Sequence, residues 1–339
     1  MKAMVVREFG PPNVMRLEEL PDPTPGPGEV VIRVHAVSVN RTLDTVVRAG
    51  KFKRRVTLPL VLGVDPAGVI VELGSGVSGR KVGDRVVTSM RVQSEAAADG
   101  PQLGSVHAWG GYAEYITARA EATTMVPDGV DLATAHVIAR HAPTAFHLLR
   151  DRAKLAPGEW VLVMGAAGAL GSAGVQVAKF LGARVIAAAG ADQRAKLCLD
   201  LGADAGVNYR TQDLTAEAMR ITQDKGVDVV FENIGDPELF PKAFAAIARN
   251  GRLVTTGGHG GGIVPLDVNQ LYLKQITVIG ATGHSHADIA LSLQAAAEGR
   301  FKAIIACILP LSQAPLAHEL VESRATLGKV VLDPTQPVA

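Results

Sequence analysis

The sequence predicts an α/β protein in two parts: a doubly wound parallel sheet in the second half of the chain and a mostly β domain built from the rest. Three observations predict it. Before about residue 126 the chain is a series of short β-type runs separated by Gly, Pro and Asp. After that point strand and helix patterns alternate, the signature of a parallel sheet covered on both faces. A glycine-rich turn follows the most apolar of the later strands. The 339 residues exceed what one small domain needs, so two domains are expected.

In the first part the strand candidates are MKAMVV at the start, Glu29 to Val37, Ala67 to Leu73 and Asp84 to Ser89. The stretch Pro21 to Glu29, PDPTPGPGE, supports neither a helix nor a central strand and reads as a connector. Arg91 to Ala108 reads as a longer irregular loop. In the second part the strand candidates are Trp160 to Met164, Arg184 to Ala189, Asp204 to Tyr209, Val227 to Glu232, Arg252 to Gly257 and Ile276 to Ala281. Between two of them a helix runs from a cap at Asp192 through Leu197, Cys198 and Leu201 to a stop at Gly202. Helical patterns at Ala287 to Glu298 and Pro315 to Ser323 and a last strand within Gly328 to Pro334 complete the chain.

Composition excludes several function classes. Hydrophobic residues make up 47% and charged residues 20%, too apolar on average for a disordered chain. A net charge of +1 gives no electrostatic reason to expect nucleic acid or anionic lipid. Cys198 and Cys307 are the two cysteines, which excludes a disulfide scaffold and a four-cysteine zinc site. The most apolar window, Trp160 to Ala178, has a glycine turn at its centre and reads as strand, turn and buried helix rather than a membrane span. The N-terminal segment lacks the apolar core of a signal peptide, so a cytoplasmic protein without membrane partners is expected.

The chemistry-bearing motif is the turn after Trp160 to Met164. It carries Gly165, Gly168 and Gly171 at three-residue intervals, with Ala166 at the first glycine position of the dinucleotide pattern G-x-G-x-x-G. A tight strand-to-helix turn without Cβ atoms lets backbone N–H groups and a helix N-terminus face a pyrophosphate. Gly165, Ala166, Gly168, Ala169, Leu170 and Gly171 are therefore the expected phosphate cradle. The tip of the next strand, Ala187 to Gly190, lacks the acid that would accept hydrogen bonds from a ribose 2′-OH. Arg194 follows, and Tyr209 and Arg210 stand where the neighbouring strand ends, so the residues point to NADPH; Asp192, whose charge opposes a phosphate, is discordant. Asn233 and Gly257 should line the same crevice, because ligands of an open α/β sheet bind at the carboxyl ends of its strands.

Other candidates are weaker. His284 with His286, and His136 with His141, lack a converging third ligand and read as polar surface or core residues. The GSAG at Gly171 to Gly174 lies inside the phosphate turn and is no nucleophile elbow. Cys198 falls on an apolar helical face.

In order, VSVNRTLDTVVRAG (Val37 to Gly50), Gly63-Val64-Asp65, KVGDRV, GGYAEY (Gly110 to Tyr115), GAAGALG, LGADAGVNYR and GKVVL resemble the medium-chain dehydrogenase/reductase superfamily over essentially the whole chain. The zinc-independent, quinone oxidoreductase-like branch matches best. The resemblance implies a GroES-like catalytic domain at 1–125 and 284–339, a Rossmann domain at 126–283 with a cleft between them, and a homodimer built through Ile276 to Ala281. It implies that Asn40 and Asp44 lie near the nicotinamide, Asn40 as a hydrogen-bond donor to a substrate carbonyl, and that Thr144 and Lys329 reach the cofactor; for Lys329 a solvated strand position is the alternative. Where zinc relatives carry ligands, this sequence has Asn40, Val64, Asp65 and Arg140, and of these Asn, Val and Arg are poor zinc ligands. Val46 and Phe52 stand where relatives carry tyrosines, so no proton donor is identified, and Tyr112 and Tyr115 read as architectural. The expected activity is NADPH-dependent reduction of a small-molecule quinone or α,β-unsaturated carbonyl compound. A dinucleotide-binding sensor or scaffold without turnover, and an alcohol or aldehyde dehydrogenase, remain as alternatives.

Overall fold

The computed structural model describes residues 1–53, 55–89 and 110–337; the Arg91 to Ala108 loop of the sequence reading lies outside them. Two compact units emerge, Met1–Arg140 with Ile289–Ala339, and His141–Asp288. No helix among the described residues is long and apolar enough to cross a membrane.

The first unit opens with β1 (Lys2–Val6), β2 (Met15–Glu19), β3 (Glu29–Ser38), the short helix α1 (Asp44–Arg48), β4 (Leu60–Val61), β5 (Ala67–Leu73), β6 (Arg85–Thr88), β7 (Tyr115–Arg119) and β8 (Thr123–Met125). Strands β2, β1 and β4 form a small antiparallel sheet. The ten-residue β3 is the spine of the larger sheet, paired with β5 along one side and with β7 and the end of the last strand along the other. Its burial follows from its residues: Val30, Val31, Ile32, Val34, Ala36 and Val37 are inside, whereas Arg33 is exposed. Helix α2 (Leu132–Phe146) then carries the chain across the border between the units. Asp131 caps it by accepting the Thr134 N–H at 2.8 Å. Pro143 inside the helix has no N–H to donate, and the chain continues as a π-turn over His147–Arg152.

The second unit contains β9 (Trp160–Met164), α3 (Ala169–Phe180), β10 (Arg184–Ala189), α4 (Asp192–Asp200), β11 (Ala205–Asn208), α5 (Leu214–Ile221), β12 (Val227–Glu232), α6 (Leu239–Ala245), β13 (Ile247–Thr255), α7 (Val268–Leu273) and β14 (Thr277–Gly280). Its six strands are all parallel, in the order β11-β10-β9-β12-β13-β14. This is the doubly wound arrangement whose strand order reverses between β9 and β12, where the carboxyl ends leave a crevice. Strands buried on both faces need near-continuous apolar sequence, and Val161 to Met164 and Val185 to Ala189 are accordingly buried.

The chain then re-enters the first unit through α8 (His286–Ala297), β15 (Ile305–Pro310), α9 (Ala314–Ser323) and β16 (Lys329–Asp333). Strand β16 pairs antiparallel with the end of β3, Val331 opposite Ser38 and Leu332 opposite Val37. Continued by two residues, that register sets Lys329 opposite Asn40.

One expectation is corrected. Asp192 does not cap α4; Ala191 holds the cap position and no side chain caps it. The Asp192 carboxylate instead accepts Asn208 Nδ2 at 2.8 Å, because the Asn208 amide on the adjacent strand end competes for it.

Candidate active site

The glycine-rich turn has the geometry of an anion cradle. Gly165 takes φ +60, a conformation a side chain disfavours, and turns the chain out of β9. Ala166 is fully buried with its N–H on the Ala188 carbonyl, so a methyl is tolerated at the first motif position. A Cβ on Gly171 would run into the Gly165 carbonyl oxygen and sit 2.8 Å from Ala166 Cα. Gly168 is the exposed helix cap, and a Cβ there would meet only the Gly165 oxygen, at 3.1 Å. The glycines thus divide the work: Gly171 lets helix and strand close, and Gly168 keeps the outer face bare. The first α3 bond runs from Ser172 N–H to the Gly168 carbonyl. The N–H groups of Ala169, Leu170 and Gly171 precede it, and the cap residue Gly168 has no side chain to bond them.

Around the crevice, Asn233 Nδ2 donates to the Met164 carbonyl at 2.6 Å, tying the ends of β9 and β12 together. Gly257 backs onto the Asn233 carbonyl. Buried Glu232 accepts the Ile234 and Gly235 N–H groups and the Thr255 hydroxyl, which braces the β12 end against β13. At the tip of β10, Tyr209 N–H bonds the Ala189 carbonyl, and a Cβ on Gly190 would lie 2.9 Å from the Tyr209 hydroxyl. Arg194 lies half-buried on the first turn of α4. Thr144 Oγ1 lies 3.2 Å from His284 Nδ1.

The first unit holds a second constellation, entirely buried. Asn40 and Asp44 sit at the end of β3 and the start of α1. Asp44 Oδ2 accepts the Asn40 backbone N–H at 2.7 Å and its Nδ2 at 3.0 Å, and Oδ1 accepts the Gly63 N–H at 3.2 Å. Burial pushes the Asp44 carboxyl up, against those bonds and the Lys329 charge, which pull it down. Lys329 Nζ donates to Asn40 Oδ1 at 2.8 Å and to the Val39 carbonyl at 3.0 Å. It is 8% exposed, so the solvated alternative does not apply. Burial, with Arg140 nearby, lowers Lys329 to about 7. Arg140 pairs with Asp65 at 3.1 Å. His136 Nε2 accepts the Ser38 N–H at 2.8 Å and therefore donates from Nδ1 to the Asp65 carbonyl, at 2.9 Å; burial drops it to about 4.

The structure therefore brings Asn40, Asp44 and Lys329 together in one unit, and the cradle, Tyr209, Asn233 and Gly257 along one sheet edge in the other. Sequence reasoning missed the Lys329–Asn40 bond and the Arg140–Asp65 pair. It also missed a chain that leads from buried Tyr112, His318 and Arg48 out to exposed Glu322: Tyr112 Oη lies 3.1 Å from His318 Nε2, and Arg48 bridges His318 and Glu322. Among the described residues no three His, Cys, Asp or Glu side chains gather as a metal site, and Cys198 is buried with its thiol pushed up to about 12.

Residues 26–128 match the alcohol dehydrogenase GroES-like domain, and residues 169–298 match the family described as zinc-binding dehydrogenase. A quinone oxidoreductase of Homo sapiens is 31% identical over 98% of this chain and 97% of its own length. An NAD-dependent alcohol dehydrogenase of Sulfolobus acidocaldarius is 32% identical over 99% of this chain and 100% of its own. The crystal structure of an Escherichia coli quinone oxidoreductase complexed with NADPH superposes with a TM-score of 0.82 at 27% identity, over 98% of this chain and 100% of that one.

Proposed function

This chain belongs to the medium-chain dehydrogenase/reductase superfamily, and we propose that it acts as a zinc-independent, NADPH-dependent reductase of quinones or α,β-unsaturated carbonyl compounds. The observation that carries the reading is the pairing of an open phosphate cradle with a buried amide site that holds two cations where zinc relatives hold ligands. Lys329 bonds Asn40 and Arg140 pairs with Asp65. A divalent cation placed there would have to displace Lys329 from Asn40 Oδ1 and Arg140 from the Asp65 carboxylate. That opposes the zinc-dependent alcohol dehydrogenase alternative.

The cradle N–H groups of Ala169, Leu170 and Gly171 would hold the pyrophosphate, with Arg194 and Tyr209 at the ribose and Asn233, Gly257 and Thr144 lining the rest. When bound, the reduced nicotinamide supplies a hydride, so one NADPH and one proton are consumed per acceptor reduced. Asn40 donates to the acceptor's carbonyl oxygen as negative charge gathers there, and water returns the proton. Asp192 opposes a 2′-phosphate less than its charge suggests, because Asn208 already donates to it.

A panel of quinones and enones, followed as loss of NADPH absorbance at about 340 nm, tests this. Turnover with NADPH preferred over NADH is expected, with the preference falling about tenfold in Arg194→Ala. Tight NADPH binding with no acceptor reduced would instead favour a sensor or scaffold. Equal losses for both cofactors in the variant would remove Arg194 from the 2′-phosphate.

We also propose a homodimer through the outer edge of the cofactor sheet. Strand β14 ends that sheet with Val278 exposed, beside an α7 that presents Val268, Tyr272 and Leu273 to solvent. An uncovered edge with apolar side chains is a pairing surface. Sedimentation should give twice the chain mass for the wild type and the single mass for Tyr272→Glu; a monomeric wild type contradicts it.

A further inference from the structure

Lys329 occupies a place that folding alone does not favour. Its ammonium is buried and bonded to two neutral carbonyl oxygens, Asn40 Oδ1 and the Val39 main chain, with no carboxylate among the described residues in direct contact. A buried charge so held costs more than an aliphatic side chain of similar size would. The charged and titratable groups facing it are Asp44 from α1 and Arg140 and His136 from α2. Arg140 is engaged by Asp65, and His136 is neutral between Ser38 and Asp65. Among the described residues Asp44 is thus the anion facing Lys329, and it binds the opposite end of the same amide, through Asn40 Nδ2.

Asn40 is bracketed: a cation on its oxygen and an anion on its nitrogen. That arrangement forbids the flipped amide and polarises the one present, which strengthens its N–H donors. Of the two Nδ2 bonds, the one to the Ser38 carbonyl is long, at 3.3 Å, and is the one a ligand oxygen can displace at least cost.

We propose that Lys329 is a positioning residue of the reduction, acting through Asn40: its ammonium fixes and polarises the amide that meets the acceptor's carbonyl oxygen. The inference rests on the reductase reading and assigns Lys329 to the acceptor side rather than to the cofactor. The working form is the ammonium, so the effect is present below a pH of about 7 and is lost as pH rises through that value.

Kinetics of the wild type, Lys329→Met and Lys329→Arg, measured from acid to alkaline pH together with the Kd for NADPH, test it. The wild-type kcat should fall on the alkaline side with a midpoint near the value given for Lys329. Lys329→Met should lower kcat by about 30-fold, abolish that limb and leave the NADPH Kd within about twofold. Lys329→Arg should recover most of the loss and push the limb beyond the range. An alkaline limb unchanged in Lys329→Met, or a loss confined to NADPH affinity, overturns the proposal. The side-chain amide signals of Asn40 in the ¹⁵N NMR spectrum give a readout that needs no turnover. If no acceptor is reduced, the reductase reading fails by itself, while the positioning is judged on those signals. They should titrate with the Lys329 midpoint in the wild type and not in Lys329→Met. Asn40 signals indifferent to that variant refute it.

Discussion

Gly171→Val should abolish NADPH binding, and it should do so through the cradle rather than through lost contacts to the cofactor. The new Cβ collides with the Gly165 carbonyl and lies 2.8 Å from Ala166 Cα, both backbone atoms of the turn leaving β9. Neither can step aside, because Ala166 N–H is bonded to the Ala188 carbonyl in the adjacent strand and Gly165 already sits at φ +60. Relief requires α3 to lift off the sheet, exposing the buried Val175, Val177 and Ala178 and tilting the N–H groups proposed to hold the pyrophosphate. Overpacking of this kind costs about 1–3 kcal/mol in a well-packed core, and a shift of about 1 Å at the cradle is enough to lose the anion. The contrast is Gly168→Ala, whose methyl points outward. Its melting temperature should match the wild type while NADPH affinity falls by about tenfold, since the obstruction is on the ligand side. Fluorescence titration and thermal melts on the two variants separate these outcomes; equal affinity losses with unchanged melting for both would mean that Gly171 is not a packing glycine.

The second large effect is acid lability of the first unit. His136 and His318 are buried and held neutral, at about 4 and about 3. For His136 the dominant cause is burial, and its Nε2 accepts the Ser38 N–H, a bond that a proton on that nitrogen would break. For His318 it is burial and then the Arg48 guanidinium, 3.5 Å from Nδ1. Both folded values lie below that of a free histidine, so the unfolded chain binds protons that the native chain refuses. Stability is therefore full above a pH of about 6.5 and declines as pH falls toward the folded values, by about 1.4 kcal/mol per unit for each group. Urea unfolding should show a loss of about 2–3 kcal/mol from each histidine by a pH of about 4.5. In His318→Gln the slope against pH should shrink, even though the absolute stability is lower. Midpoints that do not move between neutral and acid pH would contradict the buried-neutral assignment.

Much of this architecture was readable because its signals are local. The strands are apolar runs ended by Gly, Pro or Asp, and the cradle is a contiguous seven-residue turn whose chemistry depends on missing Cβ atoms. Helix α2 was not read: Pro143 and the π-turn after it break the helical pattern, although Asp131 three residues before Thr134 is a cap signature that marks its start. The Asp192 cap failed for a related reason, since the competing Asn208 amide arrives from a neighbouring strand. Asn40 and Asp44 stand four residues apart in a segment the family resemblance covers, but Lys329 is 289 residues from Asn40 and meets it through the antiparallel register of β16 on β3. No periodicity in either segment encodes that register. The same holds for Tyr112 and His318, 206 residues apart. Local chemistry marks the turn proposed to hold a dinucleotide; the charges around the amide depend on long-range pairing.

In the proposed reaction, reduction needs a nicotinamide carrier and the Lys329–Asn40–Asp44 bracket, and no metal. The direct measurement is the rate of NADPH oxidation with the best quinone or enone before and after exhaustive dialysis against a strong chelator, with zinc per chain determined on the same samples. An undiminished rate at a zinc content far below one per chain is expected, together with loss of the rate in Asn40→Ala. A rate that vanishes with the chelator and returns with added zinc at one equivalent would contradict it.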